Sequence, residues 1–474
     1  MSSRCIRGLV VAITTMIGPL LGILDADELF DMSAIRDHRT LDVTVTQPWH
    51  HVSGPVTTRQ KLVTINVGEI WPGQQYRVPV RMVVPANKKA KGFHLTGSHS
   101  PKRLEQDARL TDLEQMLVEG GVGLVKTVVQ EPRTFGLPEL ANEAERRFAR
   151  TLNPQYKIQY WAWPVTLMRA VTLAYAETDH FQVGKVAMSG GSKNGASPSM
   201  AIIHDHRMTA VHASVSPIWD SPIRLYKRQA WDELDSASGK RGIFSGGHFG
   251  PSFHEAVLAA GHEWNALQRF AAQISDEVFI SRNVDQLRKR NVEMLFQPGT
   301  HDMVAYDLVW GGIHHPGIPL YLGANTGHGK DGHPRLERDQ QNKAAFLLSH
   351  FFPQQTLGKM LIPPQLSVSK LKDSVEVRVR FPKGSDAETG RIWWMENRAN
   401  DGTPRYLSEP IPAGNSTSMS YKEEGESWVA KIAVGSQVKT LDVFSNHRKT
   451  ISFKGVPFRT YLSSPYTRVN VSDD

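Results

Sequence analysis

Cysteine is almost absent from this chain of 474 residues: Cys5 stands alone. One thiol cannot close an intrachain disulfide or build a thiolate metal site, and at position 5 it lies in an N-terminal stretch, away from any catalytic role. Long hydrophobic runs are equally scarce. The one that exists covers residues 8–24, follows Arg4 and Arg7, and is broken at Gly18-Pro19. It falls short of the roughly 20 apolar residues a membrane span requires. Residues 1–26 therefore read as a signal peptide, or as an N-terminal anchor, because cleavage near Ala26 would leave Leu24 where a small side chain is preferred. That predicts a secreted or cell-envelope protein. Internal repeats and low-complexity tracts are missing, and so are H-E-x-x-H spacing and any nucleic-acid-binding signature. Basic residues gather at Lys88, Lys89 and Lys91 and at Arg146, Arg147 and Arg150, but a net charge of +8 is mild for this length. The reading is no nucleic acid, no metal and no cofactor, with attraction to an anionic envelope or polymer left open.

What is present suits a globular chain. The composition, 40% hydrophobic and 22% charged, supplies ample core, and the length suits two or three domains. Residues 40–85 are β-rich and end in a valine-dense run before Pro85. A short apolar strand over 92–97 leads into GSHS, a helical stretch over 110–118 leads to GGVGLVKTVV, and residues 161–177 form an apolar helix with Pro164 near its start. Further buried strands are predicted at 183–188, 209–215, 292–296 and 319–322. Strands alternating with helices in this way indicate a mostly parallel sheet covered on both faces. Between 218 and 290 the pattern turns helical, with Trp, His and charge and the glycine-rich GIFSGGHFGPSF; this is a candidate lid. After Pro363-Pro364, residues 364–474 alternate apolar and polar in short runs, which predicts a small all-β, sandwich-like domain with a packing or binding role.

The sequence VGKVAMSGGSKNGASP, residues 183–198, reads as strand, sharp turn and helix, with Ser192 at the turn. Such a turn lifts a hydroxyl clear of the sheet and needs small neighbours, which Gly190 and Gly195 provide. A serine hydroxyl is a weak nucleophile until a histidine takes its proton and a carboxylate orients that histidine. Two later strand ends carry candidates: Asp302 in MLFQPGTHDMV and His328 in PLYLGANTGHG. Asp220, after the strand over 209–215, is the alternative acid. The backbone N–H of Lys193 and the loop at Ser98 and His99 are positioned to hold an oxyanion. The Lys193 charge opposes the macrodipole of the helix it starts, so a folding role alone does not explain it. Simpler roles compete: Ser192 and Asp302 as helix caps, His328 as partner of a loop carbonyl. His301, His314, His315 and His333 flank the site without metal-ligand spacing.

Together, G-x-S-K-x-G, G-T-x-D and N-T-G-H, with Trp163-Pro164, Met168 and Ala170-Val171 on the preceding helix, resemble the PhoPQ-activated pathogenicity-related (PqaA-like) proteins over roughly residues 40–350. The resemblance implies an α/β-hydrolase domain over 40–352 carrying the lid insertion, with Ser192 as nucleophile, Asp302 as acid and His328 as base. The chain departs from that pattern at Asn194-Gly195-Ala196, where the family has Arg-Gly-Trp, and in the lid. G-G-S-K-N-G is also similar to the G-C-S-R-N-G turn of glucuronoyl esterases, which makes a carbohydrate ester the alternative substrate. Two further readings stand beside these. One is a secreted signalling or binding protein on an inactive hydrolase fold. The other is a peptidase acting at chain N-termini, for which Glu255, Glu263 and Asp276 would have to grip an amine.

Overall fold

The computed structural model describes residues 29–238, 254–328 and 333–472. The N-terminal segment 1–26 and the run GIFSGGHFGPSF lie outside those residues. Within them no helix is long and apolar enough to cross a membrane.

An eight-stranded sheet organises the first three quarters of the chain. Its strands are β1 (Thr44–Val52), β2 (Thr58–Trp71), β3 (Gln74–Pro85), β4 (Ala90–Thr96), β5 (Gly123–Thr127), β6 (Phe181–Gly191), β7 (Ala210–Ser214) and β8 (Glu293–Gln297). They lie in the order β1-β2-β3-β5-β4-β6-β7-β8. The first three strands are antiparallel and rich in β-branched residues; from β5 to β8 every pair is parallel. The chain then extends the sheet once more, where Leu320 bridges Phe296 and Gly323 bridges Gly299, both in parallel sense. The strand predicted at 319–322 is thus present as a partner of β8, reduced to isolated bridges. This order, with helical crossovers on both sides, is that of an α/β-hydrolase.

The helices in chain order are α1 (Met32–Arg36), α2 (Pro101–Leu104), α3 (Asp112–Glu119), α4 (Pro138–Thr151), α5 (Ala162–Ala176), α6 (Lys193–His204), α7 (Arg228–Ser238), α8 (His254–Ala259), α9 (Trp264–Val278), α10 (Ile280–Lys289), α11 (Leu308–His314), α12 (His333–Phe351) and α13 (Pro404–Ser408). Alternation along the strands divides the core. Val186, Met188, Val211 and Phe296 face α5 and α6, whereas Ala187, Ala210 and Leu295 face Phe346 and Leu347 of α12. Every residue of α5 from Ala162 to Ala174 is buried, so the period there is masked by burial on all sides. α3 starts with a capping box between Thr111 and Glu114.

The described parts of the excursion between β7 and β8 are largely helical, as their composition predicts. α9 packs on α6 and α8 on α4, around an aromatic cluster that includes Tyr226, Trp231 and Phe270. α10 belongs less to a lid than to the crossover, because it packs directly on α6 before entering β8.

The C-terminal part forms two antiparallel sheets: Gln365–Lys370, Ser374–Arg380, Ser427–Ala433 and Ser420–Lys422 in one, and Ser416–Ser418, Thr389–Glu396, Thr440–Phe453 and Val456–Ser463 in the path of the other. They enclose a small core of Val377, Val379, Ile392 and Val443. The module is not separate, however. Met395, Tyr406, Ile411, Phe444 and Tyr466 are part of the main hydrolase core. Residues before position 40 also join it: Phe30 and Ile35 are buried there, and Arg169 of α5 donates to the carbonyls of Ala34, Ile35 and Asp37.

Candidate active site

The chain reverses its direction across the sheet between β4 and β6, which opens a crevice at the carboxyl ends of these strands. Ser192 sits there, between the end of β6 and the start of α6. Its backbone has φ 58° and ψ −128°, a conformation that residues other than glycine rarely adopt. Two neighbours make the turn fit. The Ser192 N–H donates to the Ser214 carbonyl of β7 at 2.9 Å. A Cβ at Gly190 would stand 2.0 Å from the Asn194 carbonyl oxygen, so only glycine lets the helix return this close to its strand.

Ser192 does not cap α6 with its side chain. Its hydroxyl donates to Nε2 of His328 at 2.8 Å, and the His328 Nδ1–H donates to Oδ1 of Asp302 at 2.9 Å. This tautomer follows from the partners, since only Nδ1 faces an acceptor-only carboxylate. Asp302 is fully buried, and the same Oδ1 also accepts the Val304 N–H at 2.9 Å. Asp302 therefore orients the imidazole and shapes the turn that follows it, but it caps no helix, since the next one, α11, starts at Leu308 behind Asp307. Ser192 follows β6, Asp302 follows β8, and His328 follows the bridged stretch beside β8.

The alternative acid does not take part. Asp220 accepts from the Ser281 hydroxyl at 2.6 Å and lies 3.5 Å from Nε2 of His315 and 3.6 Å from Arg282. Burial works to raise its pKa, but the His315 and Ser281 contacts prevail and hold it below the ordinary carboxylate value.

Lys193 is half-buried. Its ammonium donates to the side-chain carbonyl of Gln130 and lies 5.9 Å from the centre of the Trp163 ring. Burial lowers its pKa, against the pull of Glu131. The charge is thus held by the loop after β5 and does not stand free in the crevice. Its amide is at the first position of α6, one of those an α-helix leaves without an intrahelical acceptor. The loop after β4 does abut α6, since a Cβ at Gly97 would be 3.1 Å from Oδ1 of Asn194. The side chains named there turn elsewhere. Ser98 is exposed and bridged to Val128, and the His99 ring meets the Thr96 hydroxyl at 2.8 Å, where burial lowers it to about 4.

Of the flanking histidines, His301 meets the Glu409 carbonyl, His314 the Trp310 carbonyl and ring, and His315 both Asp220 and the Trp310 ring, while the side chain of His333 lies outside the described residues. Among the described residues no three His, Cys, Asp or Glu side chains gather as a metal site would need. Glu255, Glu263 and Asp276 are exposed, and Asp276 is paired with Arg282 at 2.7 Å.

Several residues beside the site had no sequence signal. Gln130 is the hub of one group: its main-chain carbonyl accepts from Tyr76 Oη at 3.0 Å and Trp163 Nε1 at 2.9 Å while its side chain holds Lys193. Its position just past a buried strand end was the available hint. Arg224 and Asp307 form a fully buried pair at 2.6 Å behind the Asp302 loop, but 83 residues separate them and no spacing rule joins them.

No protein-family model and no curated protein matches this chain. Solved structures similar to it include acetyl xylan esterase 1 from a Thermoanaerobacterium species, at 13% identity and TM-score 0.41, over 69% of this chain and 94% of that one. A glucuronoyl esterase from Teredinibacter turnerae aligns at 12% identity and TM-score 0.36, over 61% and 75%. A puromycin-hydrolysing peptidase of Mycobacterium tuberculosis aligns at 12% identity and TM-score 0.36, over 64% of this chain and 46% of that one.

Proposed function

We propose that this chain is a serine hydrolase that cleaves an ester or amide through an acyl-enzyme. One observation carries the reading: the unbroken run of hydrogen bonds from the Ser192 hydroxyl through His328 to the buried Asp302, on a strained strand-to-helix turn. In this reading His328 takes the proton as Ser192 Oγ attacks the carbonyl, and returns it to the leaving group. Asp302 stabilises the imidazolium that forms in between. The Lys193 amide and a second amide from the loop after β4, at Ser98 or His99, receive the oxyanion. Water on His328 then releases the acyl group.

The four motifs shared with the PhoPQ-activated pathogenicity-related proteins support that type, and the arginine-led apolar N-terminus supports a place outside the cytoplasm. The similarity of G-G-S-K-N-G to the glucuronoyl esterase turn supports a second reading, a carbohydrate ester. Labelling with a fluorophosphonate tests the chemistry. Wild-type protein is expected to be modified at Ser192 and to turn over activated esters, and Ser192→Ala to lose roughly 10⁴-fold or more in kcat. Folded wild-type protein that stays inert to both would leave the signalling or binding reading in its place. A panel of activated esters, uronate esters and aminoacyl amides separates the substrate classes.

A further inference from the structure

The two loops that bring Asp302 and His328 to Ser192 are short excursions from the last strands of the sheet. They hold each other in part. The Thr300 N–H donates to the Gly323 carbonyl, the His301 N–H to the Thr326 carbonyl, and the Asn325 N–H to the Thr300 hydroxyl, each at 2.9 Å. Packing adds to this, since a Cβ at Gly299 would stand 2.2 Å from the Thr326 carbonyl oxygen.

The C-terminal module holds both loops as well. Residues 398–411, between two strands of its larger sheet, lie against both loops. Arg398 is buried, with its guanidinium 3.6 Å above the Tyr406 ring; Nη2 donates to the Thr300 carbonyl at 2.6 Å and to the Tyr406 carbonyl at 2.8 Å, and Nη1 to Tyr466 Oη at 2.5 Å. Asn325 forms a matched pair with the backbone of Ile411: Nδ2 donates to the Ile411 carbonyl at 2.9 Å, and Oδ1 accepts the Ile411 N–H at 2.7 Å. His301 meets the Glu409 carbonyl at 2.6 Å. Asp401 accepts the Trp310 N–H at 3.0 Å, where α11 begins just beyond the Asp302 loop. These are directional contacts between residues flanking Asp302 and His328 and a segment about 100 residues further along the chain, through the Thr300 carbonyl on one loop and the Asn325 side chain on the other.

We infer that residues 398–411 are a working part of the catalytic centre, with Arg398 and Asn325 as positioning residues that fix the Asp302 loop and the His328 loop at proton-transfer distance from Ser192. The inference rests on the hydrolase reading. It gives the C-terminal module a defined role, in which the hydrolase domain carries the three reacting side chains and the module sets the spacing between two of them. Misplacing a catalytic group by about an ångström costs on the order of 10²-fold in rate while substrate still binds.

Three variants in the full chain test it with a short-chain p-nitrophenyl ester and with fluorophosphonate labelling, each assayed well below its own melting temperature. Asn325 has φ 55°, so Asn325→Gly keeps the backbone conformation and removes both bonds to Ile411. Arg398→Met keeps the stem and removes the donors; Arg398→Lys restores a charged donor group. Asn325→Gly and Arg398→Met are expected to lower kcat and the labelling rate by about 10²-fold with KM changed less than about threefold. Arg398→Lys, which keeps the charge but not the planar fork, is expected to recover part of the kcat and labelling loss without a matching gain in melting temperature, which a general loss of stability would not produce. If wild-type protein reacts and folded Asn325→Gly and Arg398→Met keep kcat within about threefold of it, the positioning role is wrong and the hydrolase reading stands. If wild-type protein reacts with neither probe, the hydrolase reading fails and the inference falls with it.

Discussion

Ser192 pays for its reach with backbone strain: φ 58° and ψ −128° suit glycine far better than a residue with a Cβ. Relief is therefore available by substitution. Ser192→Gly is expected to raise stability by about 1 kcal/mol or more, on the scale of strain at such positions, while abolishing labelling. Denaturant titration of the two proteins checks this, and a less stable glycine variant would contradict it. The same residue shows what the sequence made legible. Small neighbours at 190 and 195 announced a tight turn, and the catalytic order Ser, Asp, His along the chain pointed to three strand ends. The fate of Lys193 was not legible. Its residue type signalled a charge at a helix start, yet the ammonium's partner is Gln130, 63 residues away, on a loop whose path only the folded sheet defines.

Among the elements, β6 and α6 form the unit on which the site depends, and their contact is closest at Gly190. A Cβ there would meet the carbonyl oxygen, carbonyl carbon and Cβ of Asn194 at 2.0, 2.6 and 2.8 Å. Backbone atoms cannot give way as a flexible side chain does. Gly190→Ala is expected to cost roughly 2 kcal/mol or more and to displace the turn, so thermal stability and labelling rate should fall together. An alanine variant of wild-type stability would mean that the strand and helix can separate at little cost. Elements with a strong period or uniform burial were readable from residues alone: β6, β7, β8 and α5 lie within a few residues of their expected bounds. The stretch at 319–322 was readable as apolar but not as a pair of isolated bridges, because register depends on the partner. The segment 398–411 gave no signal at all. Its contacts to the hydrolase loops are made largely through its own backbone carbonyls and amide, at Glu409 and Ile411, and such groups are carried alike by every residue type.

At the scale of the whole molecule, the module and the hydrolase sheet share one core, and the junction between them holds an unusual charge. Asp401 is raised to about 7, first by burial and also by the nearby carboxylates of Asp307 and Asp442, against the Trp310 N–H and Arg468. In the unfolded chain it has its ordinary value, 3.8. The folded state therefore holds a proton that the unfolded state has lost between these two values. Its contribution to stability is fully present below about pH 4 and is lost as pH rises through about 7. Three buried histidines act in the opposite direction. Burial lowers His94, His212 and His447 to about 3 from 6.5, so their contribution is present above pH 6.5 and is lost as pH falls toward 3. His99, lowered to about 4, acts the same way, and with four groups against one the wild-type protein should lose stability on acidification below about pH 6. Asp401→Asn removes the opposing group and leaves an acceptor for the Trp310 N–H. The difference in melting temperature, variant minus wild type, should then grow more positive from pH 5 to pH 8, because only the wild type must charge a buried carboxylate over that range. A difference that stays flat across those pH values would mean that Asp401 is already ionised in the folded protein, held by Arg468, and that the junction is an ordinary buried ion pair.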